Sequence, residues 1–395
     1  MGLTSAKGKE RPAKESGIES FYAIQPRLAR FQAMDATTLP SGKTDLRDWL
    51  NLAAEWAEVV YQANSLPPGD AQRDQIQPDL AFARRSLDDH FWAFIQARYS
   101  AVDYYQDNKG PISLAMVNRW LQQQVSPDER LALICFDGLA LDQWFLLRGY
   151  LQSALPHPTL RENRTYAIAP TITPVSRQAL WAGRLPTGFA ETITQTDQDA
   201  ARWQAYWVNQ NVPAPRVSHV TVKANGQGLD EVRALAKGRN RRLGILVNLF
   251  DEVMHGIKGM SAEADKRVYY GALRGHLENG KLGNLFEVLL SHGYRVFLTA
   301  DHGNVAGVGL GLTPPKALVE SYARRVAIFD RVELAEEYAA KHGLRAFRTK
   351  ALPLDLHPVY LPGNGLFATQ GATQISHGGL SLEELIVPFV EVASS

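Results

Sequence analysis

Four short apolar runs, separated by segments of helical periodicity, are the feature of this sequence that most restricts its fold. Each run has the length of a strand that is buried on both faces. Strands that alternate with helices in this way are typical of a mostly parallel sheet with helices on both faces, so we predict an α/β fold for most of the chain. The runs are residues 131–136, 166–169, 243–250 and 295–299, and the helical segments include 141–153, 176–183 and 263–290.

A second type of pattern precedes the α/β part. Apolar residues recur every three or four positions from Trp49 to Val60, which predicts an amphipathic helix, and two further helices follow at about 77–105 and 113–124. The polar residues before them predict a flexible tail. An aromatic helical segment inside the α/β part is expected to form a cap or insertion over the site. The 395 residues therefore divide into a tail at 1–17, a helical N-terminal region at 18–126 and a catalytic α/β domain at 127–395, with the cap at 187–235.

An aspartate follows three of the four apolar runs within two residues. These residues are Asp137, Asp251 and Asp301. Ligands bind outside the carboxyl ends of the strands in open α/β sheets, so we expect the three carboxylates at one edge. Three carboxylates in one place repel each other and are costly to desolvate unless a cation neutralises them. The strand ends therefore predict a metal site.

Three histidines strengthen this prediction. Asp251 and His255 are four residues apart at the start of a helix, and His302 directly follows Asp301. His377 lies before two glycines, which allow close approach. The chain has a single cysteine, so a multi-cysteine zinc site and an internal disulfide are excluded. Imidazoles and carboxylates without thiolates favour zinc, with manganese as the second choice, and six such ligands predict two ions.

The charge and hydropathy exclude several other classes of protein. A net charge of +1 argues against a polybasic protein that wraps nucleic acid. No apolar run is long enough to span a membrane, and the first residues lack the apolar core of a secretory signal. We therefore expect a cytoplasmic protein with no membrane partner.

A segment rich in hydroxyl groups follows the second apolar run. Residues 170–177 read PTITPVSR and open a helix, where free backbone N–H groups favour anions. A hydroxyl held there beside a metal ion is suited to nucleophilic attack, and Arg177 lies in the first turn, within reach of a phosphate oxygen. Together with a two-ion site, this pattern predicts displacement at phosphorus.

Five stretches in this order resemble the PglZ-type domain of the alkaline phosphatase superfamily, which is found in bacterial phage-exclusion (BREX) systems. The resemblance extends over about residues 130–390 and implies an alkaline-phosphatase-like fold. The stretches are FDGLALDQW (136–144), APTITPVSRQALWAG (169–183), DEVMHG (251–256), TADHGN (299–304) and ISHGGLSLEELIVP (375–388).

The resemblance also implies a role for each site residue. Thr173 is the expected nucleophile, in preference to Thr171, because it stands immediately before the Pro-Val-Ser-Arg start of the helix. The resemblance divides the ligands between two zinc ions. One ion is expected to be held by Asp137, Thr173, Asp301 and His302, and the other by Asp251, His255 and His377.

The implied function is hydrolysis of phosphate monoesters or diesters through a phosphothreonine-like intermediate. Nucleotides or nucleic acid are the expected substrates, in anti-phage defence together with other BREX proteins. Two alternatives stay open. One is a defence-complex scaffold or sensor whose metal site is structural or binds a nucleotide, and the other is a phosphomutase.

Overall fold

The computed structural model describes residues 13–34, 38–40, 45–66, 71–105, 108–257, 266–314 and 323–394. Most of the predicted tail at 1–17 lies outside these ranges, although the first helix already begins at Ala13. The structure is an α/β fold with a central, mostly parallel sheet, surrounded by helices and preceded by a helical region, so the predicted fold class is confirmed. Within these ranges, no helix combines the length and the apolar character needed to cross a lipid bilayer.

The central sheet has six strands in the order β2-β12-β5-β1-β4-β3. Strands β5, β1, β4 and β3 run parallel, whereas β12 is antiparallel to both β5 and β2. Two small sheets, β10-β6-β11 and β7-β9-β8, lie outside it. The strands are β1 Arg130–Phe136, β2 Pro158–Tyr166, β3 Val217–Val222, β4 Arg242–Val247, β5 Tyr294–Ala300, β6 Val305–Gly309, β7 Val326–Phe329, β8 Arg345–Ala346, β9 His357–Tyr360, β10 Gly365–Leu366, β11 Thr373–Ser376 and β12 Ile386–Ser394.

Helices pack around the central sheet and along the N-terminal region. The helix predicted over 263–290 is instead two helices, separated at Gly280, whose φ of 74° is left-handed. The helices of the described residues are α1 Ala13–Gln32, α2 Asp45–Ser65, α3 Ala71–Arg98, α4 Val117–Gln124, α5 Leu141–Ala154, α6 Thr173–Ala182, α7 Asp199–Asn209, α8 Leu229–Lys237, α9 Leu249–Ile257, α10 Lys266–Glu278, α11 Lys281–Ser291, α12 Val332–His342 and α13 Leu382–Leu385.

Three of the four predicted strands are confirmed as the parallel strands β1, β4 and β5. The third run is shorter than predicted, since β4 ends at Val247 and α9 begins at Leu249, so Asp251 lies in the first turn of a helix and does not directly follow the strand. The prediction of a strand over 166–169 is wrong, because β2 ends at Tyr166 and pairs with the antiparallel strand β12 at the edge of the sheet. Its preceding residues alternate in burial, as expected of an edge strand with one exposed face. Part of the segment expected to form a cap, 187–235, instead belongs to the central sheet, because β3 lies in this segment and is one of the two edge strands of that sheet.

The N-terminal helices share a hydrophobic core with the sheet. Trp49 of α2 packs on Phe91 and Phe94 of α3, and Phe94 in turn stacks on Tyr166 of β2. The Tyr166 hydroxyl donates a hydrogen bond of 2.9 Å to the carbonyl of Leu46 in α2. The helical region therefore packs directly on the antiparallel edge of the central sheet.

Candidate metal centre

The sheet register brings the ends of β1 and β5 together. Phe136, the last residue of β1, is paired with Ala300, the last residue of β5. Asp137 and Asp301 follow these paired residues, so both leave the sheet at the same point. The backbone N–H of Gly138 donates to Asp301 Oδ1 at 3.0 Å, which links the two loops directly.

Two carboxylate oxygens at this point are buried and have no hydrogen-bond partner within the part of the chain that the structure describes. They are Asp137 Oδ1 and Asp301 Oδ2. His302 Nε2 lies 3.9 Å from the first and 3.8 Å from the second. Ligand atoms from the three residues all lie within 4.8 Å of one another. Two orphaned buried oxygens and an imidazole nitrogen that face one another fit a divalent cation, which would satisfy all three.

The orientation of His302 is set by its other ring nitrogen. Its Nδ1 lies 3.0 Å from the carbonyl oxygen of Gly303, an acceptor, so Nδ1 carries the proton. Its Nε2 therefore has a free lone pair and accepts a hydrogen bond from Thr173 Oγ1 at 3.1 Å. A carbonyl that fixes the tautomer of a ligating histidine is typical of metal sites.

The two candidate threonines have different surroundings. Thr173 is the first residue of α6, and its half-buried hydroxyl contacts His302. The hydroxyl of Thr171 is fully buried, donates to the carbonyl of Gly379 at 2.8 Å and accepts from the N–H of Gly378 at 3.2 Å. The Thr171 hydroxyl is therefore occupied by backbone groups, whereas the Thr173 hydroxyl faces the carboxylate cluster.

His377 lies against the same cluster. Its ring stacks on the His302 ring with 4.0 Å between centroids, and its Nδ1 donates to the carbonyl of Thr171 at 3.0 Å. Burial, together with the neighbouring imidazole of His302, lowers the pKa of His377 well below its ordinary value. The ring is therefore neutral, which is the form that binds a metal ion.

Asp251 and His255 form a pair at the start of α9. His255 Nε2 lies 2.9 Å from Asp251 Oδ1, and about a quarter of each side chain is exposed. Burial raises the pKa of Asp251, but the hydrogen bond with His255 and the nearby imidazoles of His255, His377 and His302 lower it overall. The pair is thus electrostatically coupled to the cluster.

The clustered acids have an unfavourable electrostatic environment without a cation. Burial and the neighbouring Asp301 raise the pKa of Asp137 well above its ordinary value, although Arg177 opposes the shift. A divalent ion would reverse this effect, because it stabilises both carboxylates in the charged form.

Arg177 is engaged by carboxylates. Its Nη1 donates to Asp137 Oδ2 at 2.7 Å, its Nε lies 2.8 Å from Asp199 Oδ2, and the side chain is buried. The guanidinium therefore fixes the orientation of Asp137, so that Oδ1 is the oxygen left facing His302. This geometry favours a positioning role over the phosphate contact expected from the sequence.

Several residues that the sequence analysis did not single out support the site. Asp199 anchors Arg177, and burial raises its pKa to about 6 despite that partner. Asn304 donates to the carbonyl of Gly138 at 2.7 Å, and Gln143 donates to Asn304 Oδ1 at 2.6 Å. Asn304 and Gln143 both lie inside the quoted motifs, so their polar side chains close to the ligands in sequence could have identified them as supporting residues. For Asp199, the only available signal was its position in the first turn of a helix.

Eight predicted residues are thus found around the carboxyl edge of the central sheet. Asp137, Thr173, Asp301, His302 and His377 are linked by direct contacts, the Asp251–His255 pair is coupled to them, and Arg177 is bound to Asp137.

Several solved structures are similar to the chain over about two thirds of its length. A murine ectonucleotide pyrophosphatase/phosphodiesterase 5, solved in complex with AMP, is 14% identical with a TM-score of 0.42 over 66% of this chain and 87% of that one. The human protein is 13% identical with a TM-score of 0.43 over 67% and 88%. Phosphonoacetate hydrolase from Sinorhizobium meliloti 1021, solved with phosphonoformate, is 12% identical with a TM-score of 0.40 over 67% and 90%.

No curated protein sequence matches the chain significantly. A family model does match, over residues 116–392, and it is described as the BREX system PglZ alkaline phosphatase-like domain. This match covers well over half of the chain and includes every residue of the carboxylate and imidazole cluster. The chain therefore belongs to the family of PglZ alkaline phosphatase-like domains of BREX systems.

Proposed function

We propose that the chain is a metal-dependent hydrolase of phosphate esters that acts on phosphodiesters of nucleotides or nucleic acid in anti-phage defence. The observation that carries this proposal is the pair of orphaned buried oxygens, Asp137 Oδ1 and Asp301 Oδ2, beside His302 Nε2 and the hydroxyl of Thr173. The proposal includes a cytoplasmic location and other BREX proteins as partners, and it treats residues 127–395 as the catalytic unit.

The proposed ligands form two groups. Asp137, Asp301 and His302, with the hydroxyl of Thr173, would hold one ion. Asp251, His255 and His377 would hold the second ion. The donors include no thiolate, which favours zinc, with manganese as the second choice. When bound, the two ions would supply positive charge for the attacking and leaving oxygens.

Thr173 is the proposed nucleophile. Its Oγ1 loses its proton to solvent and forms a bond to phosphorus while the bond between phosphorus and the leaving oxygen breaks, and the leaving oxygen takes up a proton from water and departs as an alcohol. Water then cleaves the phosphothreonine and regenerates the hydroxyl. Thr173 Oγ1 lies 3.1 Å from His302 Nε2, the nitrogen that would bind the ion, so the hydroxyl is positioned beside that ion before attack. The ion pairs of Arg177 with Asp137 and Asp199 keep the ligand oxygen of Asp137 turned toward the cluster.

Turnover of two aryl phosphates tests the proposal. Metal-stripped protein, reloaded with zinc or manganese, is assayed with bis(p-nitrophenyl) phosphate and p-nitrophenyl phosphate. We expect hydrolysis that a chelator abolishes, a loss of about 10³-fold or more in kcat for Thr173→Ala, and retained activity in Thr173→Ser. Thr187→Ala, at an exposed threonine, is the matched control.

The result also separates the alternatives. Zinc binding without turnover of either ester, with Thr173→Ala indistinguishable from wild type, would contradict the hydrolase and favour a sensor or scaffold. Protein that binds neither metal would contradict the metal centre itself.

A further inference from the structure

Two side chains from the N-terminal helices meet at one carboxylate behind the candidate metal centre. Trp56 of α2 donates from Nε1 to Glu383 Oε1 at 2.9 Å. Arg84 of α3 donates from Nε to the same oxygen, also at 2.9 Å. Glu383 is 6% exposed, so this carboxylate is almost completely removed from water. Its two donors come from outside the segment matched by the family model, which begins at residue 116.

The charge of Glu383 depends on these donors. Burial alone would raise the pKa of Glu383, but Arg84, Lys266 and the Trp56 hydrogen bond lower it overall. The other carboxylate oxygen, Oε2, is buried without a hydrogen-bond partner among the described residues. A buried anion that loses a donor must move toward another donor or toward water. The position of Glu383 is therefore sensitive to Trp56 and Arg84.

The backbone at Glu383 and Glu384 is in direct contact with the loop that carries His302. The carbonyl of Glu384 accepts a hydrogen bond of 2.9 Å from the N–H of Gly303. A Cβ atom at Gly303 would lie only 2.0 Å from the carbonyl oxygen of Glu383, so the two segments are as close as glycine allows. The carbonyl of Gly303 is the group that fixes the tautomer of His302. A shift of Glu383 would therefore move the group that orients this imidazole.

The same segment also supports the loop of His377. The Glu384 carboxylate accepts a hydrogen bond of 2.7 Å from the N–H of Gly379, two residues after His377. Arg325 forms a buried ion pair of 2.9 Å with this carboxylate. Residues 383 and 384 thus join the loops that carry both stacked imidazoles.

We propose that Trp56 and Arg84 are positioning residues, which act through Glu383 to hold the imidazoles of His302 and His377 in their stacked, metal-ready arrangement. The N-terminal helices would then be part of the catalytic architecture. The consequence for metal binding rests on the proposed function, whereas the consequence for the imidazoles does not.

The experiment compares variants of the full chain in the metal-free state and during zinc titration. Trp56→Phe and Arg84→Gln remove one donor each, Arg84→Lys keeps the charge, and Arg85→Gln alters the exposed neighbour of Arg84 as a control. Ring ¹⁵N signals of histidine-labelled, metal-free protein, assigned with His302→Asn and His377→Asn, report on the tautomer and surroundings of each imidazole. Competition with a chelating dye gives the zinc affinity, and thermal unfolding by circular dichroism shows that each variant is folded.

We expect Arg84→Gln and Trp56→Phe to shift the ring signals of His302 and His377 and to weaken zinc binding on the order of tenfold. Arg84→Lys, which keeps the positive charge, should retain most of the wild-type ring signals and zinc affinity. Arg85→Gln should match the wild type in both measurements. Folded Arg84→Gln and Trp56→Phe with unchanged ring signals would overturn the inference, even if the wild type binds zinc and hydrolyses phosphodiesters. Shifted ring signals in a protein that neither binds zinc nor hydrolyses esters would support the inference and contradict the proposed function instead.

Discussion

At the scale of single residues, two neighbouring threonines differ in what their hydroxyls contact. Thr171 bonds to the backbone of Gly378 and Gly379, and Thr173 contacts His302. We predict that Thr171→Val lowers the free energy of unfolding by about 1–3 kcal/mol, because two buried backbone groups lose their partner. Thr173→Val should leave stability nearly unchanged and abolish turnover.

Urea denaturation and ester hydrolysis, measured on both variants, test this division of roles. A Thr171→Val protein with wild-type stability and no activity would contradict it and would make Thr171 the better candidate nucleophile.

Asp103 offers a test that is independent of any metal. It is 5% exposed, its Oδ2 lacks a hydrogen-bond partner among the residues that the structure describes, and burial raises its pKa to about 7. The folded state therefore holds a proton that the unfolded state releases near pH 4. The free energy of unfolding falls as the pH rises from about 4 to about 7, between the pKa values of the unfolded and folded states. Asn has no proton to lose, and we predict that Asp103→Asn raises the free energy of unfolding at pH 8 by on the order of 1–3 kcal/mol.

Urea denaturation between pH 4 and pH 8 measures this effect. The gain should shrink toward pH 4, and Asp230→Asn, at an acid whose side chain is 95% exposed, should show no such dependence. Equal stability of Asp103→Asn and wild type at pH 8 would contradict the prediction.

Sequence alone predicted residues whose role follows from position along a strand. Asp137 and Asp301 were predictable because each follows a buried strand, and parallel strands end at one edge of a sheet. Asp199 and Glu383 were not, because their partners lie far away in sequence: Arg177 for the former, Trp56 and Arg84 for the latter. Periodicity and spacing carry no information about such pairings.

At the scale of elements, the clearest relation is between α6, α7 and the end of β1. Asp199 is the first residue of α7, and its ion pair with Arg177 of α6 holds the guanidinium that binds Asp137. We predict that Asp199→Asn weakens zinc binding on the order of tenfold, because Arg177 then loses one of its two anchors and orients the ligand less well.

Competition with a chelating dye measures the affinity. Asp197→Asn, at an exposed acid two residues earlier, is the matched control and should bind zinc like the wild type. Wild-type affinity in Asp199→Asn would show that Asp137 is held without this pair.

The elements that sequence predicted and missed differ in their burial. β1 and β4 are buried along nearly their whole length and stand out as apolar runs. β2 and β3 are the two edges of the sheet and include half-buried and exposed residues, so their composition resembles that of loops. Their membership in the sheet follows from pairing with distant strands, which a local pattern does not encode.

At the scale of the whole molecule, one hydrophobic cluster joins the N-terminal helices to the sheet. It includes Trp49 and Trp56 as well as Leu133 of β1 and Leu298 of β5. A smaller, separate cluster lies around α12 and includes Ala335 and Val359. The larger cluster extends across residue 126, where the sequence suggested a boundary between two parts of the chain. Because the N-terminal helices and the sheet share this core, we expect them to unfold cooperatively.

We therefore predict a single unfolding transition for the helical region and the sheet. Trp49→Ala removes a fully buried side chain that packs on Phe91 and Phe94, and it should cost about 3–5 kcal/mol. Hydrogen exchange of peptides from α2 and from β1 should accelerate together, since both are protected by the same global opening. Leu354→Ala, at a side chain that is 84% exposed, should leave both unchanged. Faster exchange confined to α2, with β1 still protected as in the wild type, would contradict the prediction and show that the helices open independently of the sheet.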